Sequence, residues 1–366
     1  MTQGERACPD LSRAASREPA ERACPEPAEV APLGSAHHGR LRVAIAGASG
    51  IGKHHAKWFA MEGCEVVAFL GSSLETAGHT LAVLRDSFGI NARPYDDIRA
   101  MLAQERLDAI SVCTPHHLHY EHTTAALKAG LHVLCEKPIV WDTALPASPV
   151  SESELLDKAQ GMLEQARSAG RILAVNTQYL AALQPYREIY QRHWGNISPL
   201  TSLYFEMESK GGRSGPNEHE EIWVDLASHP LSLLVALMPG SAVVWESLDC
   251  AVGRAHVACR FLARDSQDNE CQVIILLRNV TEGTPARRFG VNGRIVELAA
   301  RNDAQGIYRT YIRWNGSEQE HQDLVHSSIQ RFIAAVQGNG EPLAGGEAAI
   351  ENLRLQLEIL RRARRV

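Results

Sequence analysis

The chain carries no strong charge of either sign. Its 37 Lys and Arg against 43 Asp and Glu leave a formal net charge of -6 over 366 residues, which removes the electrostatic case for nucleic acid or an anionic membrane as a partner. It also lacks any run approaching the roughly 18 apolar residues needed to span a bilayer, and its N-terminus lacks the uninterrupted apolar region of a secretory signal. C-x-x-C spacing is missing as well. The eight cysteines are scattered from Cys8 to Cys271, most of them in apolar strand-like runs, and they read as reduced core residues rather than a disulfide frame or a zinc site. These absences leave a cytoplasmic chain, 45% hydrophobic and long enough for two domains, with small molecules as its expected partners.

Residues 1–40 differ from the rest in being rich in Pro, Ala, Glu and Arg, with Glu5-Arg6-Ala7-Cys8-Pro9 repeated as Glu21-Arg22-Ala23-Cys24-Pro25. Such a segment buries too little apolar area to offset its ordering entropy, so a disordered tail is expected there, with His37 and His38 solvated. From residue 41, short apolar runs alternate with helical periodicity. Strands are expected at 41–46, 65–70, 108–113, 131–135 and 172–175, and helices at 51–62, 74–88, 96–104, 117–130 and 153–169. This alternation implies an α/β class with a parallel, doubly wound Rossmann sheet over 41–175.

Beyond it the texture changes to strand-like segments near 199–208, 242–250, 254–264, 270–279, 287–299 and 307–314, many alternating with period two, and one long helical pattern at 224–238. An open, mostly antiparallel sheet is expected in a second α/β domain over 176–345. A last helix in 346–366 is expected to pack back on the first domain, with Arg361, Arg362, Arg364 and Arg365 at its C-terminal end, where cations suit the dipole.

Ligands of a parallel sheet bind at the carboxyl ends of its strands. The first such end, Gly47-Ala48-Ser49-Gly50-Ile51-Gly52, is a loose dinucleotide fingerprint: Gly47 makes the turn, Ser49 stands where a second glycine is usual, and Gly52 permits close helix packing. The second strand ends in Phe69-Leu70-Gly71-Ser72-Ser73. Ser72 and Ser73 replace the carboxylate that would select NAD, while no Arg clamps a 2′-phosphate, so NAD and NADP both stay open with a slight lean to NADP. Glu75, next along, reads as a first-turn helix acid. Thr114-Pro115-His116-His117-Leu118-His119 lies where the nicotinamide is expected, and Thr114, Pro115, His116 and His119 are candidate cofactor contacts, whereas His117 reads as solvated.

Glu136-Lys137-Pro138 ends another strand. An ammonium there is costly unless the site uses it, and desolvation would bring its pKa toward a catalytic range; a surface lysine at a strand exit is the alternative. Pro138 can rigidify the turn through a cis bond. Far along the chain, Asp225 and His229 stand four residues apart on the expected helix and so share a face, where a histidine suits proton exchange at neutral pH. Asn217-Glu218-His219-Glu220-Glu221 lacks metal-ligand spacing and reads as a solvated loop, and Lys53-His54-His55 is expected to face solvent or phosphate; no metal site is expected.

Taken together, these residues make the chain resemble the glucose–fructose oxidoreductase, inositol dehydrogenase and rhizopine-catabolism (Gfo/Idh/MocA) family over about 41–360, most specifically in Asp108 through Pro138 and in Asp225-x-x-x-His229. The resemblance implies a Rossmann domain, a C-terminal α/β domain whose open sheet forms homo-oligomers, and catalytic Lys137, Asp225 and His229. On that reading His229 exchanges a proton with a substrate hydroxyl, Lys137 steadies the reacting oxygen and Asp225 positions substrate, while Gly47, Ser49, Gly50, Ile51, Gly52, Ser72, Ser73, Glu136 and Lys137 belong to the cofactor site. His116, Ala227, Ser232 and the arginine-free Val175-Asn176-Thr177-Gln178-Tyr179 depart from the family pattern. So does a small insertion at 140–152, and all these changes touch the substrate side. The implied activity is NAD(P)-dependent hydride transfer at a hydroxyl, carbonyl or imine carbon of a small polar substrate such as a sugar, cyclitol or specialised metabolite. A non-catalytic NAD(P) sensor or a scaffold subunit on the same fold is the alternative.

Overall fold

Continuous apolar runs in the first half fold as six strands whose residues are almost all buried, as strands covered on both faces must be. They are β1 (Arg42–Ala46), β2 (Glu65–Leu70), β3 (Arg93–Tyr95), β4 (Ala109–Val112), β5 (His132–Glu136) and β6 (Leu173–Asn176), all parallel, in the order β3-β2-β1-β4-β5-β6. The computed structural model describes residues 39–142, 149–210, 218–304 and 307–366. Nearly all of the segment expected to be disordered, part of the 140–152 insertion and the start of the Asn217–Glu221 cluster therefore lie outside the described residues. Strand order reverses between β1 and β4, which opens a crevice at their carboxyl ends. The edge strand β3 was not expected; it is three residues long and contains Pro94, which only an edge accommodates readily.

The crossovers are α1 (Gly52–Met61), α2 (Leu74–Phe88), α3 (Ile98–Gln104), α4 (His119–Lys128) and α5 (Pro149–Ser168), with a 3-10 turn at His116–Leu118 before α4. After β6 come α6 (Gln178–Ala181), α7 (Leu183–Trp194), β7 (Ser202–Lys210), α8 (Glu218–Leu226) and α9 (Ser228–Leu237). The rest of the second sheet follows as β8 (Ala242–Val252), β9 (His256–Arg264), β10 (Glu270–Val280), β11 (Arg287–Val291), β12 (Arg294–Asn302), β13 (Tyr308–Trp314) and β14 (Ser317–Gln322). The chain closes with α10 (Leu324–Val336), α11 (Gly346–Arg362) and the short β15 (Arg364–Arg365). This second sheet runs β14-β13-β12-β11-β7-β10-β9-β8-β15 and is antiparallel except at β7–β10 and β8–β15.

Two local features correct the expected elements. The run 287–299 is not one strand: Asn292 and Gly293, with φ of 51° and 76°, turn it into the β11–β12 hairpin. The helix expected at 224–238 is two helices that meet at Ala227. Pro230 supplies the reason, since it has no N–H to bond the Leu226 carbonyl and its ring crowds that group.

Both C-terminal helices return to the first sheet. On one side α10 packs on α1, where the Trp58 and His326 rings stack at 4.3 Å and His326 Nε2 lies 2.6 Å from Glu62 Oε1. On the other, α11 packs against α5 and α9; Trp223 donates to the Gln356 carbonyl at 2.9 Å and Asn352 to the Ser228 carbonyl at 2.8 Å. The terminal arginines bind other elements rather than the helix dipole alone: Arg361 pairs with Glu152, Arg364 with Asp249 and Arg365 with Glu220. Among the described residues no helix is long and apolar enough to cross a membrane.

Candidate active site

The crevice at the switch point is a cavity of about 1010 Å³ whose lining includes Gly47, Ala48, Ser49, Ser72, Thr114 and Pro115. Gly47 has φ +85°, and a Cβ there would meet the Cys113 carbonyl oxygen at 2.6 Å, while one on Gly52 would strike the Gly47 carbonyl. Only glycine permits this turn to pass so close to β4 and to the start of α1. Ser49 and Gly50 are exposed at its tip, and Ile51 half-buried at the helix start. The α1 N-terminus has neither a side-chain cap nor an acidic residue in its first turn; the Lys53 and His54 N–H groups bond the Gly50 and Ile51 carbonyls, and the positive end of the helix dipole is left to favour an anion. The cradle fits a dinucleotide pyrophosphate.

At the far end of the cavity the Ser73 hydroxyl is already engaged, accepting from the Thr76 N–H at 3.1 Å as the α2 cap. Ser72 Oγ lies 3.2 Å from Thr76 Oγ1, and both residues line the cavity beside Glu75 and Asp96. Among the described residues no Lys or Arg lines it.

The loop after β4 divides its residues. Thr114 and Pro115 face the cavity, while His116, half-buried on the 3-10 turn, is not part of its lining. His119 is 1% exposed, with Nδ1 2.7 Å from the Pro138 carbonyl oxygen and Nε2 2.9 Å from that of Thr114. Its ring ties the β4 loop to the β5 loop, and burial holds its pKa below the ordinary value. His122, which the sequence reading passed over, lines the cavity with Nδ1 3.2 Å from Thr114 Oγ1.

Glu136 and Lys137 are neighbours that face different partners. The Glu136 carboxylate turns into the sheet, accepting from Asn176 Nδ2 at 2.6 Å and lying 3.1 Å from His55 Nε2. His55 is fully buried, with Nδ1 2.8 Å from Ser111 Oγ, which corrects the expectation that it faces solvent or phosphate. The signal was present in the sequence: Gly52, His55, Ala56 and Phe59 form the buried stripe of α1. Burial opposes charge on both groups, yet each holds the other ionised. Cys113 first, and then the carboxylate, push His55 up to about 10; the imidazolium, with Lys137 and Asn176 adding to it, pulls Glu136 down to about 2.

The peptide bond between Lys137 and Pro138 is cis. Lys137 Nζ reaches the second half of the molecule, donating to the Asp225 backbone carbonyl and lying 2.7 Å from Asp225 Oδ1. Although the helix breaks between them, Ala227 keeps right-handed helical dihedrals, and both Lys137 and Asp225 act electrostatically on His229. His229 is 2% exposed; burial first, and then the Lys137 ammonium, lower its pKa to about 3. Its Nδ1 is buried without a hydrogen-bond partner, and the same is true of Tyr179 OH and Thr177 Oγ1. The Tyr179 and His229 rings lie 5.6 Å apart. Unpartnered buried polar atoms are rare and costly, and their clustering beside Lys137 marks a place that a bound polar group completes. A smaller cavity of about 290 Å³ also reaches Lys137 and Thr177 from between α9 and α11, but neither Asp225 nor His229 lines it.

Comparison with known proteins places this site in context. A family model described as an oxidoreductase family with an NAD-binding Rossmann fold matches residues 41–177. D-glucoside 3-dehydrogenase of Escherichia coli is 39% identical over 145 residues, which are 39% of this chain and 36% of that protein's length. 1,5-anhydro-D-fructose reductase of Ensifer adhaerens is 24% identical over 317 residues, covering 82% of this chain and 89% of that protein. A 3-ketoreductase from Actinomadura kijaniata, crystallised with NADP and TDP-benzene, has the same fold, with a TM-score of 0.64 at 19% identity over 90% of this chain and 99% of that one.

Proposed function

We propose that the chain is an NAD(P)-dependent oxidoreductase of the Gfo/Idh/MocA family, whose model matches residues 41–177, and that Lys137, Asp225 and His229 carry out proton handling beside the nicotinamide. The observation that supports this reading is the Lys137–Asp225 ion pair at 2.7 Å next to a buried His229 whose Nδ1 has no partner. The bound cofactor supplies or accepts the hydride. Lys137, held by two contacts to Asp225, is pre-positioned to donate to the oxygen on the reacting carbon and to stabilise negative charge there. Neutral His229 is in the form that accepts a proton from a hydroxyl, and the ammonium that lowers its pKa also lowers that of the hydroxyl. Asp225 fixes the lysine.

The substrate is a small polar molecule with a hydroxyl, carbonyl or imine carbon, such as a sugar, cyclitol or specialised metabolite. The protein works in the cytoplasm, as a homo-oligomer joined through the second sheet. The domain division is 41–175 for cofactor, 176–345 for substrate and 346–366 for the returning helix. Its cofactor cavity provides Ser72 and Thr76 hydroxyls for an adenosine ribose or its phosphate, the basis of the slight lean to NADP, but sets Glu75 and Asp96 rather than a cation beside them. A panel of sugars, cyclitols and hydroxy acids with NAD⁺ and NADP⁺, read by the appearance of reduced nicotinamide, tests the proposal. Turnover of at least one hydroxyl substrate is expected. Cofactor binding with no hydride transfer to any carbonyl or from any hydroxyl would make the chain a sensor instead.

A further inference from the structure

Arg287 opens β11, and strand alternation decides which way it faces. Arg287, Phe289 and Val291 share one face of the second sheet. Phe289 is fully buried there, 6.1 Å from the Tyr179 ring and 4.8 Å from that of Tyr186. In register, Arg287 lies opposite Met207 and Phe289 opposite Phe205, both buried partners. Arg288 takes the other face, bonding Glu206 at 3.1 Å and Glu297 at 2.9 Å. Arg287 is half-buried, and its guanidinium makes no hydrogen bond or ion pair among the described residues. It acts electrostatically on both His229 and Tyr179, the two rings at the proposed reaction centre.

Among the described residues, other charges at that centre have partners. Lys137 faces Asp225, and Glu136 faces His55. His229 is neutral through burial. The Arg287 guanidinium has no partner among the described residues, and it is a planar fork of donors suited to bidentate binding of a carboxylate or phosphate.

We propose that Arg287 is the anchor for an anionic group on the substrate, so that the enzyme acts on carboxylated or phosphorylated small molecules rather than on neutral ones. The proposal rests on the oxidoreductase reading of the same site. With the anion bound at Arg287, the reacting carbon would be held toward Lys137 and His229, and the Tyr179 hydroxyl, which has no partner and feels the Arg287 charge, is a further polar group for the substrate.

The full-length protein, saturated with whichever reduced nicotinamide it binds, is titrated with glucuronate, glucose 6-phosphate and glucose, following the fluorescence of the bound cofactor. At least one acid should bind ~10-fold or more tightly than glucose. Preference for glucuronate or for the phosphate identifies which oxyanion the site takes. Arg287→Gln should reduce that acid to the level of glucose while leaving cofactor affinity unchanged, and Arg287→Lys should restore part of the difference. Equal affinity for all three, binding of none, or undiminished acid affinity in Arg287→Gln would overturn the proposal and leave the oxidoreductase reading standing. A protein that binds neither NADH nor NADPH would overturn that reading instead.

Discussion

The floor and the wall of the site handle charge in opposite ways. In the floor, built by the first sheet, the ionised groups are matched by their surroundings. Glu136 on β5 sits in register with Asn176 on β6 and receives His55 from α1. In the wall, built by the second half of the chain, His229 is kept neutral, its Nδ1 has no partner, and Arg287 stands without a counter-ion among the described residues. A buried polar group without a partner costs about 1–3 kcal/mol, so a fold that keeps several together forgoes stability for something else. Both regions keep orphaned polar atoms, Asn176 Oδ1 in the floor and His229 Nδ1 in the wall, but the charged pair of the floor is matched within the fold while Arg287 in the wall has no counter-ion among the described residues.

The contrast is sharpest at His229. His229→Asn should lower kcat by about 10²–10⁴-fold, the usual worth of a general acid or base, with little change in NAD(P)H affinity. Steady-state kinetics alongside cofactor titration would expose a purely structural histidine, which would lose stability and keep its turnover per folded molecule. The floor should fail in the other way. His55→Leu leaves the Glu136 carboxylate buried without its imidazolium, and equilibrium denaturation should show a loss of about 3–5 kcal/mol. Because the folded pKa of His55 is raised from 6.5 to about 10, its contribution is fully present below pH 6.5 and fades as pH rises through about 10. The wild-type protein should therefore lose stability across that interval more steeply than the leucine variant; parallel pH profiles would mean that the pair is not ionised.

The smallest effect concerns the cofactor. With Ser72 and Thr76 but neither Lys nor Arg lining the ribose end, and with Glu75 and Asp96 nearby, affinities for NADH and NADPH should differ by less than about tenfold. A larger preference for NADPH would require a cation that the described residues of this cavity do not present.

The two regions were also unequally legible. Parallel strands buried on both faces print themselves as apolar runs, so the strands from β1 to β6, β3 excepted, and the glycine turn followed from sequence. The chemistry of the floor did not: His55 looked like part of a polar triplet, and only its place on the buried stripe of α1 brings it to Glu136. In the wall, a long apolar period concealed the helix break at Pro230, and Asn292-Gly293 was overlooked as a hairpin turn. Arg287 was invisible, because its significance depends on which sheet face β11 presents, and that is set by register with β7 and not by local pattern. Lys137, Asp225 and His229 could be nominated in sequence, while their convergence depends on an ion pair between residues in different halves of the chain.

That convergence is tested most directly by Lys137→Ala, with NADH and NADPH affinity and turnover measured side by side against the wild type. Cofactor affinity should remain within about threefold while turnover falls by about 10²–10³-fold, as expected when a donor to the reacting oxygen is lost. Collapse of cofactor affinity with Lys137→Ala, or turnover that survives it, would contradict the account.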